Sequence, residues 1–299
     1  MKKRLIPACG AVMIGLLFAT CVSAQKAATP RPAIFAVLDD GKTLEPIGYI
    51  NKNKLSEPVN GSDASNLVAA FDKTYYKPGT AYRLIWGGSN AGTVKVKSSN
   101  PKADCAKNTA MATTTSAKVN LKGLVMGLAT NATSKSANAS SRRKPTPAEK
   151  EEMDALAKAE FLKEKLTAKT LHYQNVTALD VDNDGKAEFV ASYWIEVDKS
   201  TRGLLFFIAS KGSNNKYSIG YKEYRSLDQA GMMSGANITA VDGGVYHELL
   251  LDAFDYDNDG VAEIFTTQAG LEGAGFTAYK RSGSKWTKAY EFNNYHCGF

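Results

Sequence analysis

Apolar and polar positions from residue 33 onward divide the chain into four regimes. From 33 to 130, short apolar runs alternate with turn residues, the pattern of strands in a β-rich region. "AIFAVLDDGKTLEPIGYI" sets Asp40-Gly41 between two apolar runs and predicts a hairpin. "AYRLIWGGSNAGTVKVKS" repeats the arrangement around Gly87-Gly88 and Gly92, and "VNLKGLVMGLAT" reads as a further strand. Residues 131–146, "NATSKSANASSRRKPT", are poor in apolar side chains and read as a basic, solvent-exposed linker.

A helix comes next, over 147–167. Thr146 as cap, Pro147 at the first position and Glu149 three residues after the cap make a capping box, and "EKEEMDALAKAEFLKEKL" supplies good helix formers. Ala155, Ala159, Leu162 and Leu166 fall on one face with Leu156 at its edge, so this amphipathic helix is expected to pack on a sheet. Beyond it, over 168–299, strand patterning returns twice, in Leu171 to Tyr224 and Tyr246 to Phe292. Each stretch has an apolar strand running into an acidic loop, a strand that begins at the loop glutamate, and two further strands joined by a Gly/Ser/Lys turn, "SKGSNNKYS" or "KRSGSKWTK". The offset from Asp180 to Asp255 is 75 residues, and four strands per unit is the size of a propeller blade.

Composition narrows the setting. "MKKRLIPACGAVMIGLLFATCVSAQ" has the basic start, apolar run and Val22-Ser23-Ala24 end of a signal peptide over 1–24, which implies a periplasmic or secreted protein. A retained anchor and a lipoprotein cut before Cys21 are the alternatives. No later run is long enough to cross a bilayer. Cys105 and Cys297 then remain in an oxidising compartment, either as one disulfide or as two unpaired thiols. The leader carries Lys2, Lys3 and Arg4 and no acid, so the formal charge falls from +7 to +4, too mild to argue for nucleic acid. From Cys105 to Thr146 there is no Asp or Glu, and Arg142, Arg143 and Lys144 cluster there. A solvated linker is one reading of that segment and a contact for an anionic envelope polymer is another.

The candidate chemistry lies in the two acidic loops. "DVDNDGKAE" places Asp180, Asp182, Asp184, Gly185 and Glu188 at the first, third, fifth, sixth and ninth positions, and "DYDNDGVAE" repeats this with Asp255, Asp257, Asp259, Gly260 and Glu263. Alternate carboxylates of a tight loop can turn toward one centre, with glycine supplying the sharp reversal. Such an oxygen-rich set suits calcium better than magnesium, which demands a stricter octahedron. An EF-hand is excluded, because position twelve is Ala191 or Thr266 and both flanks read as strands.

What the loops resemble is the calcium hairpin of the FG-GAP and VCBS repeats, the blades of integrin-α-like β-propellers. The resemblance covers roughly residues 171–292. It implies two calcium sites, one held by the side chains of Asp180, Asp182, Asp184 and Glu188 with the Lys186 carbonyl, the other by Asp255, Asp257, Asp259 and Glu263 with the Val261 carbonyl. The ninth position is more often aspartate in that pattern. No Phe-Gly/Gly-Ala-Pro signature adjoins either loop. Two blades do not close a ring, so the N-terminal strands are expected either to supply degenerate blades or to leave an open or sandwich-like assembly, the first being favoured.

Nothing in the sequence nominates a catalytic residue. His172 and His247 each precede their loop's first aspartate by eight residues, a symmetry that reads as a structural strand position. There is no zinc-helix histidine pair, G-x-S-x-G elbow or phosphate loop. The expectation is therefore an exported, mainly β protein with structural calcium, acting as a binding or scaffold module for protein or glycan rather than as an enzyme. The alternative is an extracytoplasmic hydrolase or lyase that uses acids outside the loops.

Overall fold

The computed structural model describes residues 30–117, 119–133, 142–167, 169–212, 214–233 and 235–297; the expected signal peptide over 1–24 and the middle of the basic segment lie outside them. Along β1 (Ala33–Leu38) successive side chains point to opposite faces, and both sets are buried. Phe35 and Val37 enter one apolar cluster and Ile34 and Ala36 another, which is why the strand is an unbroken apolar run. β1 pairs with β2 (Thr43–Asn51) and with β7 (Gly127–Thr130). Through β4 (Ala81–Trp86), β5 (Ser89–Ser99) and β6 (Ala110–Thr115) the order β1-β7-β4-β5-β6-β2 returns to β1, so six strands close a barrel. β3 (Lys54–Ser56) hangs on β2 as a short hairpin.

The favoured expectation of degenerate N-terminal blades is therefore corrected: these strands pair into a barrel. The strand-and-turn reading also missed α1 (Ser65–Tyr75), which packs Phe71 and Tyr75 against barrel-core residues such as Phe35 and Tyr49.

The rest of the chain builds two four-stranded antiparallel sheets. One holds β8 (His172–Leu179), β9 (Glu188–Asp198), β10 (Thr201–Lys211) and β11 (Tyr217–Asp228) in sequential order. The other holds β12 (Glu248–Phe254), β13 (Glu263–Ala269), β14 (Gly273–Ser282) and β15 (Lys285–Tyr295). The layers stack: Leu251, Phe265 and Phe276 of the second sheet pack on Ile34 and Leu128 of the barrel, while its other face sends Leu250, Ile264 and Tyr279 against Leu179, Phe206 and Ile208 of the first sheet. The outer face of the first sheet is covered by α2 (Pro147–Lys163). A disulfide joins Cys105 to Cys297 across a Cα separation of 5.0 Å, tying the barrel to the end of β15. Among the described residues no helix is long and apolar enough to cross a membrane.

α2 starts as its capping box requires, with Thr146 Oγ1 accepting from Glu149 N and Glu149 Oε2 accepting from Thr146 N. It ends at Lys163, and its buried face is Met153, Ala157 and Phe161, with Leu156 and Leu166 alongside. Ala155 and Ala159 are exposed and Leu162 is 60% exposed, so the expected face is corrected by a rotation toward the larger Met153 and Phe161.

The basic segment departs further from expectation. The Arg142 side chain is buried, its Nη1 donating to Asp252 Oδ2 at 2.7 Å and to the Met126 and Leu251 carbonyls, while its guanidinium lies 3.9 Å from the Trp86 ring centre. Arg143 pairs its backbone with Ala178 and its side chain with Glu149. The described end of the segment, 142–146, is thus mostly solvent-exposed, but it is anchored by the Arg142 side chain between the barrel and the second sheet.

Arg142→Ala would leave the Asp252 carboxylate buried without its cation. Urea unfolding is expected to show a loss of about 3–5 kcal/mol, against no more than about 1 kcal/mol for Arg143→Ala at its partly exposed pair.

Candidate functional site

Each acidic loop joins the first strand of a sheet to the second, the first between β8 and β9 and the second between β12 and β13. The two loops fold alike because their sequences impose the same turn. Asn183 and Asn258 sit at φ 61°, followed by Gly185 at φ 81° and Gly260 at φ 93°, left-handed positions that asparagine and glycine tolerate. Asp180 accepts from the backbone N–H groups of Asp184 and Gly185, at 3.1 and 3.0 Å. Asp255 accepts from those of Asp259 and Gly260, at 3.2 and 3.1 Å. The Lys186 N–H donates to Asp184 Oδ1 and the Val261 N–H to Asp259 Oδ1. Glu188 and Glu263, both buried, accept from the N–H groups of Val181 and Tyr256 across the base of their loops.

The loops gather carboxylates, though not the same members. Oxygens of Asp180, Asp182 and Glu188 lie within 4.8 Å of one another in the first, and those of Asp255, Asp257 and Asp259 in the second. Asp184 and Glu263 stand outside these groups of three. Asp184 instead has Lys186 Nζ at 3.6 Å. Burial pushes the Glu188 carboxyl up to about 7, and burial together with nearby Asp257 pushes that of Glu263 up to about 8. Asp182 Oδ1 is buried and finds no hydrogen-bond donor among the described residues. An ionised oxygen left in that state is costly unless a cation or donor meets it.

Two residues that the sequence reading left in an ordinary turn answer part of this charge. Lys280 Nζ reaches Asp257, Asp259 at 2.8 Å and Glu263 at 3.1 Å. Its neighbour Arg281 reaches Asp182, and Glu188 at 3.0 Å. Adjacent residues of a strand face opposite ways, so β14 delivers one cation to each loop. The loops also touch, Ala262 N donating to Val181 O at 2.8 Å. Only the second unit carries the Lys-Arg pair. In the sequence it is a hint visible once β14 is known to pass between the loops.

At the other end of the same two sheets lies a cleft of about 400 Å³ with a mixed lining, in which Glu223, Glu248, Gln268, Lys288 and Glu291 stand among Met233, Leu271 and Ala274. Glu248 Oε1 accepts from Thr266 Oγ1 at 2.7 Å and from the Tyr279 hydroxyl at 2.5 Å, and burial holds its carboxyl above the usual range. For Glu223 burial acts in the same sense, but hydrogen bonding and charge from Lys288 prevail and hold it below that range. His247, behind this cleft, is buried with Nδ1 3.4 Å from Ser192 Oγ, and both His172 and His247 pack against Trp194.

Burial pushes His247 down from its usual value near 6.5 to about 4. Its contribution to stability is complete above pH 6.5 and is lost as pH falls toward 4, because the unfolded chain takes up the proton first. The full effect is about 3 kcal/mol, and His247→Gln is expected to flatten the slope of unfolding free energy against pH in that window.

No protein-family model, curated protein or solved structure matches the chain, so the reading of the loops and the cleft rests on their own geometry.

Proposed function

We propose that the protein is an exported calcium-binding module of the FG-GAP/VCBS type, with structural calcium in both loops, that recognises protein or glycan at the cell envelope. The observation that carries this reading is the matched pair of turns, each of which draws three carboxylates within 4.8 Å at the junction of two packed sheets. The unpartnered Asp182 Oδ1 fits a cation as its missing partner. The groups that would hold the ions are the side chains of Asp180, Asp182, Asp184 and Glu188 with the Lys186 carbonyl, and of Asp255, Asp257, Asp259 and Glu263 with the Val261 carbonyl. The two meandering sheets stand for two propeller-like blades, with the barrel in place of further ones.

Calcium in this reading stabilises, since it binds the folded loops and not the unfolded chain. At a hundredfold excess over Kd each site adds about 2.7 kcal/mol. Arg142 and Arg143 are engaged within the fold, so a contact with anionic polymer would fall to Lys144 and the other lysines of the segment. A second reading, a hydrolase or lyase, draws on the cleft, which holds carboxylates outside the loops. Glu248 and Glu223, pushed in opposite directions, are its candidate acid and base.

Calorimetric titration of calcium into the EDTA-stripped chain, with thermal melts alongside, tests the first reading. Two binding events and a melting shift, both abolished by Asp182→Ala with Asp257→Ala, are expected. Absence of heat together with a melt indifferent to EDTA would reduce the loops to acidic turns.

A further inference from the structure

The face that β12–β15 turn toward β8–β11 changes character along its length. Near the acidic loops it is apolar, with Leu250, Ile264 and Tyr279 packed on the first sheet. Further along, the register sets Gln268, Gly275 and Asn293 side by side in one row and Thr266, Thr277 and Glu291 in the next. Those rows would be half-satisfied polar side chains if the sheets met there, and instead the cleft opens over them.

The floor of this cleft is formed by the start of β14. Gly273, Gly275 and Thr277 are alternate residues of β14 on one face. Gly275 has no left-handed φ to account for glycine, and a Cβ there would meet Asn293 Oδ1 at 3.0 Å, so its effect is to leave room for the Asn293 amide. Two of the wall carboxylates have cations: Lys288 Nζ lies 2.8 Å from Glu291 Oε1 and 3.2 Å from Glu223 Oε2, and Arg225 Nε is 3.8 Å from Glu223 Oε1. Glu248 is 7% exposed, with Oε1 held by two hydroxyl donors.

We infer that this cleft binds a neutral oligosaccharide, whose ring lies beside Gly275 and Asn293 while its hydroxyls bond Glu248, Gln268, Glu291 and Asn293. Each sugar hydroxyl both donates and accepts, which suits neighbouring amide and carboxyl groups. A hydrophobic ligand would strand them without partners, and an anionic ligand would meet a lining in which Glu223, Glu248, Glu272 and Glu291 face Lys288. Tyr246 and Tyr295 on the lining offer aromatic surface of the kind that stacks on a sugar ring. This inference rests on the binding-module reading and names its ligand.

The test is saturation-transfer NMR followed by calorimetry on the calcium-saturated chain, probing maltotetraose, cellotetraose, chitotetraose and mannotetraose, with tetragalacturonate and spermine as charged comparators. At least one neutral probe is expected to bind with Kd of about 1 mM or tighter, weakened about tenfold or more by Gly275→Leu and by Asn293→Ala. Asn293 is exposed, so its variant reports on the site even where Gly275→Leu disturbs folding. No transfer to any neutral probe, binding indifferent to both variants, or preference for a charged comparator would each overturn the inference. Calcium heats measured on the same samples separate the two readings: saccharide binding without calcium binding would sink the metal proposal alone, and calcium binding without saccharide binding this one alone.

Discussion

Repulsion between carboxylates gathered at the junction of two sheets is the constraint that shapes this protein. The loops from Asp180 to Glu188 and from Asp255 to Glu263 crowd acids against the apolar layer that holds the sheets together, where Val181 and Ala262 are buried. Two features relieve it. Backbone N–H groups inside each turn take up the first aspartate and the glutamate, and β14 passes between the loops, sending Lys280 to one and Arg281 to the other. The relief is incomplete at Asp182 Oδ1, and in that gap a divalent cation has its place in the proposed function.

The layered arrangement explains how so much of the chain is apolar on both faces. Barrel, second sheet, first sheet and α2 lie in sequence, so β1, β9 and β12 are each covered on two sides. Arg142 secures the junction of barrel and second sheet. Its guanidinium meets Asp252, two carbonyls and the Trp86 ring, so a single charged side chain satisfies polar groups from several segments. The cleft lies where the apolar contact between the sheets gives out, which gives the same pair of sheets two chemically distinct ends.

Local signals in the sequence were reliable where local physics decides. The Asp40-Gly41 hairpin, the capping box at Thr146 and the strand at each loop glutamate all rest on turn and cap chemistry within a few residues. The spacing that suggested a carboxylate cluster brings Asp180, Asp182 and Glu188 together, and Asp255, Asp257 and Asp259, whereas Asp184 lies near Lys186 and Glu263 shares Lys280 with Asp257 and Asp259. What was not legible depends on long-range packing. Closure of the barrel requires β1 to find β7, far along the chain, and the buried face of α2 is chosen by the sheet it meets rather than by its own periodicity. Arg142 reads as one more charge in a basic run until Asp252 is folded against it. Lys280 and Arg281 are likewise ordinary turn charges until the two loops are brought together.

The most direct measurement is a crystal structure of the protein grown with calcium, compared with one grown in EDTA, using the anomalous signal to locate the ion. An anomalous peak in each loop, with Lys280 and Arg281 moved off the carboxylates, is the expected result. Loops that are identical in both crystals, with the Lys280 and Arg281 ion pairs intact and no peak in either, would contradict the claim that these turns are metal sites.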